Sequence, residues 1–176
     1  CRGGRRLGGV VMRWRRVLRH LLMPPWRIRR RFGGATLHAI ERAIRESEAT
    51  HHGQISVAIE AALELKPLLR SQTARERALD LFGQLRVWDT EHNNGVLLYV
   101  LLADRDVEIL ADRGIERRVA PDAWENICKR IEADYRAGRY QAGTVAGINA
   151  IGELLATHYP GPGTGSNEVP DRPSIV

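Results

Sequence analysis

Hydrophobic and polar positions follow two rhythms along this chain, one of strands in its middle and one of helices on either side. Residues 96–102 (VLLYVLL) are apolar at every position, as a strand covered on both faces requires. A polar, turn-forming segment over 88–94 precedes them. A charged tip, Asp104-Arg105-Asp106, follows and leads into a second apolar run over 107–111. Strand, tight turn, strand predicts a β-hairpin whose first strand is central to the sheet. Upstream, residues 54–62 (QISVAIEAA) alternate as a strand. Thr73-Ala74-Arg75-Glu76 has the form of a capping box and opens a helix with Ala74, Ala78, Leu81, Phe82 and Leu85 on one stripe. Pro67 lies in the connection between them. Strand, helix and central strand form a βαβ crossover, so the two strands are expected to run parallel.

The remaining periodicity is helical. Thr36 is placed to N-cap a helix reaching about residue 50, with Leu37, Ile40 and Ile44 on one face. Pro121 suits the first turn of another, whose core face is Trp124, Ile127, Cys128, Ile131 and Tyr135, and Gly138 stops it. A last helix over 140–158 carries Val145, Ile148, Ile151 and Leu155 beside the small residues Gly143, Ala146, Gly147 and Ala150, a pattern for close packing of a helix on the sheet. The segment from Gly161 is rich in Gly, Pro and Ser and is expected to be disordered.

Charge changes this picture at one end. The net charge of +6 is misleading, because residues 1–31 hold eleven Arg and no acid. Beyond them, 16 Lys and Arg face all 21 Asp and Glu, so a basic arm precedes a mildly acidic domain. Within the arm, Trp14, Val17, Leu18, Leu21 and Leu22 recur at helical spacing over 12–22, with Arg13, Arg15, Arg16, Arg19 and His20 between them. This short basic amphipathic helix is broken by Pro24-Pro25, and Arg27, Arg29, Arg30 and Arg31 follow beside Trp26. Its apolar side can pack on the domain. Alternatively Trp14, Arg15, Arg16, Arg19, Trp26, Arg29 and Arg30 can meet an anionic lipid surface, where each Arg contributes about 1 kcal/mol. Nucleic acid is the least favoured partner, for want of a recognition motif and of aromatics to stack bases. Met12 is a candidate biological start. No apolar stretch approaches the roughly 18–20 residues of a membrane span, and none forms a classical signal peptide. The placement expected on these grounds is cytoplasmic and peripheral, on the inner face of the membrane. Cys1 and Cys128 are too few and too unlike in context for a disulfide scaffold or zinc site.

Over residues 35–160 the chain resembles the TPM domain family. The resemblance is carried by the helix ending near Glu48, the strand around Ile55, and RALDLF at 77–82. It continues through NNGVLLYV at 93–100, the Asp112-Arg113-Gly114-Ile115 segment, Trp124, and Gly138-Arg139-Tyr140 with the small-residue helix. It implies a three-layer α/β/α sandwich around a small mixed β-sheet, here with the basic arm at 1–34 and the tail at 161–176 as flanks. Relatives are linked to photosystem repair in thylakoids and to receptor modulation in animal membranes. Some are proposed acid phosphatases and some bind divalent metal.

The hairpin brings Asn94 and Gly95 near residues 112–114, and a parallel first strand adds His51 and His52 to that edge. Asp89, Glu91, His92, Asn94 and Asp112, with His51 or His52, form a candidate oxygen and imidazole site for Mg²⁺ or Ca²⁺, led by Asp89 and Asp112. The same residue types are ordinary turn formers, and parallel sheets bind ligands beyond the opposite end of their strands. No catalytic residue is assignable: Cys-x5-Arg, DxDx(T/V) and G-x-S-x-G are absent, and Asp104-Arg105-Asp106 only superficially approaches the second. The leading expectation is a non-enzymatic accessory module with protein partners, near membrane proteins. The alternative is a weak divalent-metal-dependent acid phosphatase.

Overall fold

A computed structural model describes residues 10–24, 26–161 and 169–176, the first four of these as backbone only. Four strands make one mixed sheet in the order β3-β2-β1-β4: β1 (Gln54–Glu60), β2 (Gly95–Leu101), β3 (Asp106–Ala111) and β4 (Ser174–Ile175). β1 and β2 are parallel, with Gln54 opposite Gly95 and Glu60 opposite Leu101. β2 and β3 form the antiparallel hairpin. All seven residues of β2 are buried, which the uninterrupted apolar run demands of a strand flanked on both sides.

Alternation along the strands divides the interior in two. Ile55, Val57, Ile59, Val96, Leu98, Val100, Val107 and Ile109 enter the larger core, beneath α3 (Gly34–Glu48), α7 (Pro121–Arg136) and α8 (Tyr140–His158). Ala58, Leu97, Tyr99, Leu101 and Leu110 enter the smaller one, under α4 (Leu65–Leu69) and α5 (Ala74–Gln84), with Val17 of α1 (Val10–Leu21). The architecture is therefore helix layer, sheet, helix layer. Thr73 forms the expected reciprocal capping box with Glu76. Pro121 takes the first turn of α7, whose five predicted core residues are all buried, and Gly138 ends the helix at φ +79°.

Several expectations need correction. Thr36 lies inside α3, whose N-cap is Gly33, and it contacts Gln141 instead. The small face of α8 packs on helices, not on the sheet. A Cβ on Gly147 would lie 2.4 Å from Ile131 of α7, and one on Gly152 would strike Ser47 of α3. Pro67 lies in the connection as expected, though that connection holds a short helix, α4. The basic cluster beside Trp26 is itself a helix, α2 (Trp26–Arg31), and Ile28 with the following Phe32 joins the larger core. Finally, the tail is not wholly disordered: β4 pairs with the free edge of β1, and Val169 is buried. The expectations for Cys1, for the start of the arm and for residues 162–168 fall outside the described residues. Among the described residues no helix is long and apolar enough to cross a membrane.

Candidate functional site

At the amino end of the parallel strands, the structure places Asn94 and Asp112 on either side of Gly95. Asn94 donates through Nδ2 to the His52 carbonyl at 2.7 Å, and its own carbonyl accepts from Gln54 N–H at 3.1 Å. Its N–H is held by Thr90 Oγ1 at 3.0 Å. Asp112 N–H donates to the Gly95 carbonyl at 2.8 Å, while Asp112 Oδ1 accepts from Arg113 N–H at 2.7 Å and caps α6 (Arg113–Glu116). Each side chain thus finishes the backbone where a strand begins or ends. Each also keeps one oxygen to spare: Asn94 Oδ1 and Asp112 Oδ2 are buried without a hydrogen-bond partner among the described residues. Buried acceptors in that condition cost about 1–3 kcal/mol, and two hard oxygens suit a largely hydrated divalent cation.

The rest of the expected set does not gather round them. Asp89, Glu91 and His92 stand exposed on the preceding turn. His51 is fully buried and committed, Nδ1 donating to the Gly53 carbonyl at 3.1 Å and Nε2 receiving Ser47 Oγ at 2.9 Å. Burial lowers its pKa. His52 is half-buried beneath Gly161, where a Cβ would meet its ring at 2.4 Å. Among the described residues no three His, Cys, Asp or Glu side chains converge as a metal would need.

The carboxyl end of the strands holds what sequence reading missed. Glu60, the last residue of β1, accepts from Tyr99 OH at 2.6 Å and from Arg77 Nε and Nη2 at 3.0 and 3.1 Å. Burial and the Glu60 charge push the Tyr99 phenol well above its ordinary value, so it remains a donor at any working pH. Arg75 pairs with buried Glu108 at 3.3 Å. The sequence signal was Glu60 and Glu108 within two largely apolar strands, on the face that α5 covers with Arg75 and Arg77.

The basic arm closes this end. Arg16 and Arg19 of α1 bind Asp104 at 2.8 and 2.6 Å, and Arg16 also donates to the Gln72 carbonyl at 2.8 Å. Buried His20 accepts from Leu63 N–H at Nδ1, leaving the proton on Nε2, which lies 3.1 Å from Asp104. Of the expected surface-contact residues, Arg16 and Arg19 therefore face the domain. Trp14, Arg15, Trp26, Arg29 and Arg30 stay exposed. So do Leu18, Leu21 and Leu22, all more than half exposed. α1 docks through Arg16, Val17 and His20 and leaves Trp14, Leu18, Leu21 and Leu22 outward.

Comparison with known proteins agrees with this architecture. The family model described as TPM domain matches residues 31–154. The NMR structure of the BA42 protein from the psychrophilic bacterium Bizionia argentinensis is similar at 31% identity, with a TM-score of 0.71, over 81% of this chain and 93% of that one. The solution structure of the N-terminal domain of a P. gingivalis protein, 22% identical, matches in fold with a TM-score of 0.57, over 73% of this chain and 80% of that one. No curated protein matches the chain.

Proposed function

The chain belongs to the TPM domain family, and from that premise we propose that it is a non-enzymatic accessory module that docks on an anionic membrane surface beside membrane proteins. The observation that carries this reading is the orientation of α1. Trp14 is 62% exposed, and Leu18, Leu21 and Leu22 are exposed with it, although burying each such side chain is worth about 1.5–3 kcal/mol. Three contacts to Asp104 hold the helix that way round. Arg15, Arg29 and Arg30 have no ion pair among the described residues and are left for headgroups. Indole rings with an apolar body and a polar N–H suit that boundary. Deleting the arm is a poor test, because Ile28 and Phe32 belong to the core. The Trp14→Ser/Leu18→Ser double variant is the better one. Wild type should sediment with anionic vesicles, less so as salt rises, with a blue shift in Trp emission, and the variant should not. Cross-linking on membranes should then recover a defined membrane protein only with the wild type. A full-length chain that ignores such vesicles at low salt overturns the reading.

A second reading, a weak phosphatase dependent on Mg²⁺ or Ca²⁺, is favoured by the two unpartnered oxygens at Asp112 and Asn94. A cation held there would polarise a phosphoryl oxygen and acidify bound water. Asp112 and Asn94 would supply its protein oxygens, and exposed Asp89 could reach in only if its turn moved. The test is thermal melting. Metal at about 100 times its Kd should stabilise the wild type by roughly 2.7 kcal/mol and leave Asp112→Ala unchanged. No shift in the wild type removes the reason to look for catalysis.

A further inference from the structure

A cleft of about 950 Å³ opens between α2, α3 and the start of α8. That volume suits a small organic ligand better than a bare ion. Its walls carry Arg27, Arg30, Arg31, Arg42 and Arg139 against a single acid, Glu46. Arg42 lies 3.7 Å from Glu46, and Arg139 is bound to Asp134 on α7. Arg27, Arg30 and Arg31 have no carboxylate partner among the described residues. Arg27 rests over the Trp26 ring at 5.9 Å and Arg31 over the Tyr140 ring at 4.8 Å.

These three guanidinium groups share one six-residue helix at spacings of three and four, where like charges repel and destabilise it. α2 keeps its place through apolar contact: Ile28 and Phe32 are buried, and Phe32 meets Tyr135 and Tyr140 edge-on at 6.2 and 5.8 Å. The fold thus concentrates positive charge in a concavity and leaves it uncompensated. The first turn of α8 adds to it. That helix is 19 residues long, its N-cap Arg139 provides no side-chain cap, and Tyr140, Gln141 and Ala142 line the cleft. The N–H groups at such a terminus favour anions.

We propose that this cleft is a binding site for a multiply charged phosphate ester, either free in solution or as the headgroup of a phosphorylated lipid. Several forked guanidinium groups with helix N–H donors match an anion carrying three or more oxygens better than a carboxylate. α2, which builds one wall, lies almost entirely before the family-matched segment at 31–154, whereas Arg42, Glu46 and residues 138–142 of the other walls lie within it. The site does not depend on lipid docking by α1, since the charges on α2 and α3 are placed without it.

The experiment uses the full chain and inorganic pyrophosphate, followed by calorimetry and amide chemical shifts without vesicles. Saturable binding is expected, with shifts centred on α2 and residues 138–142. Arg30→Gln and Arg42→Gln, both exposed positions, should each weaken it roughly tenfold. Arg117→Gln, an equal charge change on the exposed turn after α6, should not, and neither should Trp14→Ser/Leu18→Ser. Absence of saturable binding, or equal weakening by Arg117→Gln, overturns the site. Phosphatidic acid vesicles that displace pyrophosphate better than phosphatidylserine vesicles of equal charge assign the ligand to a headgroup. Displacement by neither assigns it to a soluble ester. Equal displacement by both reduces the cleft to a nonspecific charged surface and overturns the proposal.

Discussion

The two ends of the sheet use their polar side chains differently. At the carboxyl end, Glu60, Arg77 and Tyr99 satisfy one another, and α1 lays Arg16, Arg19 and His20 on Asp104. Ligands of parallel α/β sheets usually bind beyond that end. Here a helix from the arm covers it. At the amino end, Asn94 and Asp112 close the backbone and each leaves one buried oxygen without a partner. Density of charge therefore does not identify a site in this molecule. The partners of each acidic or amide side chain are more telling: Glu60 and Asp104 meet cations, while Asn94 Oδ1 and Asp112 Oδ2 meet no donor, although Gln72 Oε1 beside α1 also lacks one among the described residues.

The contrast can be broken most severely at Glu60. Glu60→Leu leaves a fully buried phenol without an acceptor and Arg77 without its partner, and should cost about 3 kcal/mol in urea unfolding. Adding Tyr99→Phe should return about 1 kcal/mol, because a buried donor with no acceptor is removed. The matching change at the amino end, Asp112→Asn, preserves the cap on Arg113 N–H and should stay within about 1 kcal/mol of wild type. Equal losses from the two substitutions would mean that the ends do not differ energetically.

Local signals made much of the fold legible. The hairpin, the Thr73 capping box, the five-residue stripe of α7 and the bounds of α8 all follow from patterns within a few residues of one another. The ends of the sheet were less legible because their chemistry is set by distant pairs. Arg77 reaches back 17 residues to Glu60, and Arg16 reaches forward 88 to Asp104. The amphipathic pattern of α1 revealed its two sides, but distant partners, Asp104, Leu63 and the Gln72 carbonyl, hold the side that docks. β4 was invisible for a related reason: two residues after a Pro-rich segment carry no strand periodicity, and only the open edge of β1 orders them. At the candidate metal site, turn chemistry brought Asn94 and Asp112 to notice. Nothing local could show that Asp89 and His92 would face solvent.

The smallest expected effect is also the most discriminating, because Asp104 and Glu48, at opposite ends of the sheet, should respond to pH with opposite sign. Burial alone would raise Asp104, but the hydrogen bond from His20 and the charge of Arg16 outweigh it and hold its carboxyl at about 2. A carboxyl depressed by folding stabilises above its unfolded pKa, and that contribution is lost as pH falls through about 2. Glu48, at the end of α3, differs. Burial raises it to about 7 against the opposing hydrogen bond from Ile55 N–H, and neighbouring Asp171 raises it further. A carboxyl raised by folding stabilises below its unfolded pKa, and the contribution disappears as pH rises through about 7. Asp171 belongs to the segment that carries β4, with Arg45 3.6 Å away and Glu41 beyond Arg45, so ionised Glu48 should loosen that strand first. Amide shifts of Ser174 and Val176, the latter bonded to the Ile59 carbonyl, should titrate with a midpoint near 7. Asp106, raised to about 6 by burial and by Glu108, Glu132 and Asp104, acts in the same direction from the other end, so a variant must separate them. Glu48→Gln should abolish the titration at Ser174 and Val176, and Asp106→Asn should leave it intact. A titration that survives Glu48→Gln would place its origin elsewhere and remove the proposed difference between Glu48 and Asp104.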